Sequence, residues 1–186
     1  MSQFTFQETP LKNLKVIRQM PKKDNRGFFS RIFCQNELNI LLEGKTIQQI
    51  NRTVTKKKGT VRGLHFQYPP SAECKIISCL KGKVWDVAVD LRKKSSTFLC
   101  YHAELLTEEN NKSFFIPEGF AHGFQTLTSD CELIYFHTED YSINLEGAVN
   151  AIDPKIGIKW PQHITECSQR DYNHPMLTCD FTGIDL

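Results

Sequence analysis

The segment Lys83-Val84-Trp85-Asp86-Val87-Ala88-Val89-Asp90-Leu91 limits what this chain can fold into more than any other. Its side chains alternate, with Trp85, Val87, Val89 and Leu91 on one face and charged or small residues on the other. That is the period-two signature of a β-strand rich in branched side chains. Residues 76–80 read as its hairpin partner, joined through Lys81-Gly82, where glycine supplies the positive φ of a tight turn. Residues 98–105, 113–116 and 132–138 read as further strands, and 14–18, 27–33 and 46–55 as shorter ones. Helix signals are confined to 36–42 and to a capped single turn at Thr107-Glu108-Glu109-Asn110. Prolines punctuate residues 153–186, which are expected to wrap the outside as loops and short turns. Many short strands with Gly and Pro turns predict an all-β chain, best fitted by a jelly-roll β-barrel with short peripheral helices.

At 186 residues, without repeats or a break in composition, the chain reads as one domain, 1–186, able to bury a core without staples. Its net charge of +2 gives no electrostatic reason to expect nucleic acid. The one dense basic block, Lys56-Lys57-Lys58-Gly59, reads as a solvated turn. Seven cysteines with no Cys-x-x-Cys pair suit a reducing compartment and thiols packed as small hydrophobes. The first ten residues lack the apolar core of a signal peptide, and no apolar run is long enough to span a membrane. A cytoplasmic, soluble protein is the expectation.

Two segments carry the candidate chemistry. In Arg62-Gly63-Leu64-His65-Phe66-Gln67, an extended strand places Gly63 and His65 on one face and Arg62 and Leu64 on the other. Lys75 follows beyond the Pro69-Pro70 turn and can return beside the imidazole. The second segment is Phe114-Phe115-Ile116-Pro117-Glu118-Gly119-Phe120-Ala121-His122-Gly123-Phe124. Its Pro-x-Gly-x-x-His spacing is the second half of a cupin signature. The first half of a metal-binding cupin would read His-x-His followed by a glutamate, whereas here His65-Phe66-Gln67 is followed by Lys75. An ammonium opposes a divalent cation, whose ligands must be neutral or anionic, so no metal is expected.

Together with these, Asp24-Asn25-Arg26-Gly27-Phe28-Phe29, Gln49-Ile50-Asn51, Val87-Ala88-Val89-Asp90-Leu91-Arg92, Glu146-Gly147, Asp153-Pro154 and Ile158-Lys159-Trp160-Pro161 run in order from about residue 10 to 175. In this the chain resembles the dTDP-4-dehydrorhamnose 3,5-epimerase family. The resemblance implies a cofactor-independent isomerase acting on a nucleotide-linked 4-keto-6-deoxyhexose, whose C3 and C5 hydrogens flank a carbonyl. It implies His65 as base, oriented by Asp171, with Tyr135 as acid on the far face and Lys75 at the ketone oxygen. Arg26, Arg62 and Arg170 are implied at the diphosphate. Gln49, Asn51, His122, Tyr141 and Glu146 are implied around the sugar and nucleoside. It further implies a homodimer in which residues 1–33 contribute to the partner, with no nucleic-acid or membrane partner.

Read without the resemblance, several of these residues have plainer roles. His65 and Tyr135 fit a satisfied core, Lys75 and Asp171 a solvated surface, and Arg26 a turn-stabilising ion pair with Asp24. The chain also departs from the family pattern at Arg31, where a glutamate at the nucleoside end of the pocket is usual, so another base such as cytosine stays open. A milder departure is Glu73-Cys74-Lys75 in place of Gln-x-Lys. The alternatives are an epimerase inverting only C3 or only C5 of a CDP- or other nucleotide-linked sugar, a metal-dependent cupin oxygenase, and a non-catalytic sugar-binding barrel.

Overall fold

The computed structural model describes residues 2–186. Its strands are β1 (Phe4–Glu8), β2 (Lys15–Gln19), β3 (Lys22–Asp24), β4 (Gly27–Phe29), β5 (Gln49–Thr55), β6 (Val61–Gln67), β7 (Lys75–Lys81), β8 (Lys83–Asp90), β9 (Tyr101–Thr107), β10 (Lys112–Ile116), β11 (Phe120–Thr126), β12 (Cys131–His137) and β13 (Glu146–Ala148). Two short helices, α1 (Gln35–Leu42) and α2 (Gln169–Tyr172), complete the described elements. A six-stranded sheet runs β1-β2-β10-β7-β12-β5, and a five-stranded sheet runs β13-β6-β11-β8-β9. Every named strand pairing is antiparallel.

The sheets enclose a core of Leu14, Val16, Ile77, Val84, Ala88, Leu106, Phe114, Phe124 and Leu133. The alternation of β8 proves to serve two layers. Val84 and Ala88 point into that core. Val87, Val89 and Leu91 point outward and are covered by Ile156, Ile184, Trp160 and Phe181 of the C-terminal segment. Removing that segment would expose a whole apolar sheet face, so the proline-rich tail is part of the packing. The buried inner face also carries Asp86 and Asp90. Asp90 is satisfied by Arg92, Ser95 and Thr97.

Several expectations shift in detail. The strand expected at 98–105 begins only at Tyr101, and 27–33 shortens to β4. Residues 107–110 do form a capped turn, with Thr107 Oγ1 accepting from the Glu109 and Asn110 amides. β1 pairs along its length with β2 of the same chain. The β3–β4 hairpin, by contrast, is exposed throughout, with Phe28 and Phe29 63% and 68% exposed. All seven cysteines are free, and burial pushes the Cys74 thiol up to about 11 and Cys79 up to about 12.

One irregularity sets the position of the site. Where β6 meets β11, His65 lies opposite His122 and Arg62 opposite Phe124, so β6 carries an extra residue. A bulge of this kind re-aims side chains. It brings Arg62 and His65 into one cavity, overturning the simple alternation expected of them. The strands can approach this closely only because both sides are glycine. A Cβ on Gly63 (φ +114) would sit 2.6 Å from the Gly123 Cα, and one on Gly123 2.6 Å from the Arg62 carbonyl oxygen. Gly123→Ala should therefore cost about 2 kcal/mol or more and lower Tm by roughly 4–8 °C in thermal unfolding. An unchanged Tm would show that the strands can separate at no cost.

Candidate active site

His65 projects from the bulged part of β6. The chain reaches it again more than a hundred residues later, because Thr60 and Glu166 form a parallel bridge that lays residue 166 beside β6. From there Ser168 caps α2, its hydroxyl accepting from the Asp171 amide at 3.0 Å. This one turn aims Asp171 back at the strand. His65 Nε2 lies 2.8 Å from Asp171 Oδ1, and the Gly63 amide donates to Oδ2 at 3.1 Å. Burial opposes ionisation of Asp171, but the His65 and Gly63 hydrogen bonds outweigh it and hold the carboxyl at about 2. A carboxylate can only accept, so Nε2 carries a proton, and in the neutral ring the lone pair is on Nδ1.

His65 opens onto a cavity of about 200 Å³ between the two sheets. Arg62, His65, His122 and Gly123 line it from the five-stranded sheet, and Asn51, Thr53, Lys75, Tyr135 and His137 from the six-stranded one. Tyr135 is buried, and its burial together with the Asp86 carboxylate pushes the phenol upward, so it stays protonated. Lys75 Nζ lies 3.1 Å from Glu73 Oε1, and Glu73 Oε2 lies 2.8 Å from His137 Nδ1. His122 Nε2 meets Asp86 Oδ1 at 2.8 Å, and burial raises the Asp86 carboxyl. Arg62 and His65 also border a wider groove of about 580 Å³ that carries Arg170, Lys56 and Lys57.

Outside the residues that line the cavity and the groove, the Tyr141 amide donates to Gln49 Oε1 at 3.1 Å and its hydroxyl to Glu146 Oε2 at 2.9 Å. Arg170 pairs with the same Glu146. Arg26 and Arg31 stand apart from these residues. Arg26 Nη2 pairs with Asp24 at 2.7 Å in the turn of the exposed hairpin, and Arg31 pairs with Glu37 of α1. Neither lines the cavity or the groove within this chain.

The sequence model of the dTDP-4-dehydrorhamnose 3,5-epimerase family matches residues 8–178. The chain belongs to that family. The dTDP-4-dehydrorhamnose 3,5-epimerase of Salmonella typhimurium is 39% identical over 172 residues, covering 91% of this chain and 93% of the relative. The Bacillus anthracis dTDP-4-dehydrorhamnose 3,5-epimerase, solved with TDP and PPi bound, superposes with a TM-score of 0.90 at 34% identity, covering 94% of this chain and 99% of the other. The Legionella pneumophila dTDP-6-deoxy-D-glucose-3,5-epimerase, in complex with dTDP-4-keto-L-rhamnose, gives 0.87 at 34% identity over 93% and 92% of the two chains. The architecture is the cupin jelly roll, and the protein is an isomerase.

In this epimerase the four residues singled out for chemistry sit together, three around the cavity and Asp171 behind His65. Sequence reasoning missed Thr53, Glu73, His137 and His174. His174 Nε2 is buried, with no hydrogen-bond partner among the described residues, 3.7 Å from Asp171 Oδ1. His65, Asp171 and His174 offer ligand atoms within 4.8 Å of one another. A cation there would have to displace the proton that His65 shares with Asp171.

The lowered Asp171 carboxyl makes a prediction of definite sign. Its ordinary value is 3.8, so the stability it contributes is complete above that pH and is lost as pH falls towards 2. In urea titrations the wild type should lose stability more steeply than Asp171→Asn across that interval. Parallel curves would mean that the His65 and Gly63 bonds do not stabilise the ionised form.

Proposed function

We propose that this epimerase inverts C3 and C5 of dTDP-4-dehydro-6-deoxyglucose, giving dTDP-4-dehydrorhamnose. The observation that carries the proposal is that His65 and Tyr135 face one cavity from opposite sheets. A hexose ring held between them presents one face to the base and the other to the acid, which is what inversion requires. His65 Nδ1 takes the proton from the carbon beside the ketone, and the electron pair of that C–H bond moves into an enolate with its charge on the C4 oxygen. Lys75 stabilises that oxygen. Tyr135 returns a proton to the opposite face and is reprotonated from solvent, while His65 releases the proton it took to solvent before the second carbon reacts. A positioned acid or base contributes about 10²–10⁴-fold, and one donor at a developing oxyanion about 10²–10³-fold.

A cavity of about 200 Å³ is smaller than the roughly 300–1,000 Å³ of pockets that hold larger ligands, so it suits one sugar ring. The diphosphate then runs towards Arg62 and Arg170 in the groove, with the nucleoside beside Tyr141. Asn51 and His122 contact the sugar, and Gln49 and Glu146 hold Tyr141 and Arg170 in place. The remaining assigned residues, Arg26 and Arg31, act from a second chain. The hairpin that carries Arg26 exposes Phe28 and Phe29, and large exposed apolar groups mark interaction surfaces. A homodimer that covers this hairpin brings Arg26 to the partner's diphosphate site. The working compartment is the cytoplasm.

Incubation with dTDP-4-dehydro-6-deoxyglucose in deuterated water, followed by NMR, should show solvent deuterium at both C3 and C5. Exchange at neither carbon would sink the proposal, and exchange at one would make the enzyme a single-centre epimerase. His65→Ala should slow exchange by about 10³-fold while dTDP binding stays within about threefold. For the dimer, the double substitution Phe28→Asp and Phe29→Asp should shift sedimentation from dimer to monomer and raise KM. A wild type that sediments as a monomer would remove the partner's arginines from the site.

A further inference from the structure

Glu73 has no task in the chemistry above, yet it is buried in contact with a group that does. It precedes β7, and its side chain is 8% exposed, with one carboxylate oxygen on Lys75 Nζ and the other on His137 Nδ1. Lys75 and His137 are cross-strand partners on β7 and β12, so the carboxylate spans both from behind while both line the cavity. Burial opposes the ionisation of Glu73, but the His137 hydrogen bond and the Lys75 charge prevail and hold its carboxyl below the usual range.

An ionised Glu73 creates a problem for the enolate. A carboxylate 3.1 Å from the ammonium cancels much of its field in the cavity, where low dielectric makes every charge count. Lysine and glutamate alone present a net charge of zero to the ketone oxygen. A proton on His137 returns the sum to +1. The surroundings can satisfy both ring N–H groups, since Nδ1 faces Glu73 and Nε2 faces the Asn51 amide at 3.4 Å. That amide can present its oxygen after a flip. The Tyr135 ring stacks on the imidazole at 6.0 Å, and Arg62, His65 and His122 face it across the cavity.

We propose that Glu73 and His137 are a positioning pair for Lys75: the carboxylate fixes the ammonium at the cavity wall, and the His137 proton restores the positive charge that the carboxylate removes. The pair tunes the oxyanion site of the epimerase reading, on which this inference rests. Neither residue gives or takes the substrate proton.

Charge removal in a double-mutant cycle tests it, using the full chain and the deuterium-exchange assay with dTDP-4-dehydro-6-deoxyglucose. His137→Gln leaves the cluster neutral and should lower kcat about tenfold with KM within about twofold, a smaller loss than removal of a direct donor. Glu73→Gln keeps a side-chain oxygen that can accept from the Lys75 ammonium and removes only the negative charge, so it leaves Lys75 as the net charge and should stay within about threefold of wild type. Combining the two should bring kcat back to within about threefold of wild type, which a packing role would not do. A double variant no faster than His137→Gln overturns the proposal, as does a tenfold loss in Glu73→Gln alone. A wild type without exchange would sink the epimerase reading by itself. The pair is then tested by nitrogen-15 NMR of the His137 ring, whose Nδ1 should carry a proton towards Glu73 in the wild type and lose that preference in Glu73→Gln. An Nδ1 without a proton in the wild type would overturn the pairing.

Discussion

The hydrogen bond between His65 and Asp171 is the contact on which the rest of the site depends. It joins the bulged β6 to the one-turn helix near the end of the chain, and it exists only because other constraints converge there. The Gly63–Gly123 approach turns His65 into the cavity, the Thr60–Glu166 bridge lays the returning chain alongside, and Ser168 stops it in a turn that points Asp171 inward. The apolar outer face of β8 supplies the adhesion that keeps the C-terminal segment in place. Core packing and proton chemistry are thus linked through one carboxylate.

Across the cavity the second sheet is organised differently. There the ionisable side chains are arranged by strand pairing, with His137 directly across from Lys75 and Tyr135 two residues back on the same strand. Each sheet therefore brings its own buried carboxylates: Asp171 beside His65 and Asp86 beside His122 on one side, Glu73 beside Lys75 on the other. A pocket so dense in paired charge is pre-organised for an intermediate in which charge moves from a carbon to an oxygen. It is poorly suited to apolar ligands.

Much of the architecture was legible in the sequence because β7, β8, β10 and β12 carry clear alternation or apolar runs bounded by turns. β11 was not read as a strand, since it is buried on both faces and its Phe120–Thr126 run shows no period of two. The orientation of Arg62 is not legible in its own strand, because a bulge is a property of two strands together. Asp171 could be tied to His65 only through family resemblance, as no local pattern spans more than a hundred residues. Glu73 and His137 left a faint signal, a carboxylate two residues before the lysine and an imidazole two after the tyrosine. Their meaning needs the β7–β12 register. Arg26 and Arg31 lie away from the cavity within this chain, one in the exposed hairpin on Asp24 and the other on Glu37 of α1, a placement that the local motif around them does not reveal.

The most direct test concerns where the proton sits on His65. Nitrogen-15 NMR of the ring, in protein labelled at histidine and held near neutral pH, distinguishes a protonated from an unprotonated ring nitrogen. A neutral ring with its proton on Nε2, losing that preference in Asp171→Asn, is the expected result. A proton on Nδ1 in the wild type would leave no lone pair facing the sugar and would contradict His65 as the base.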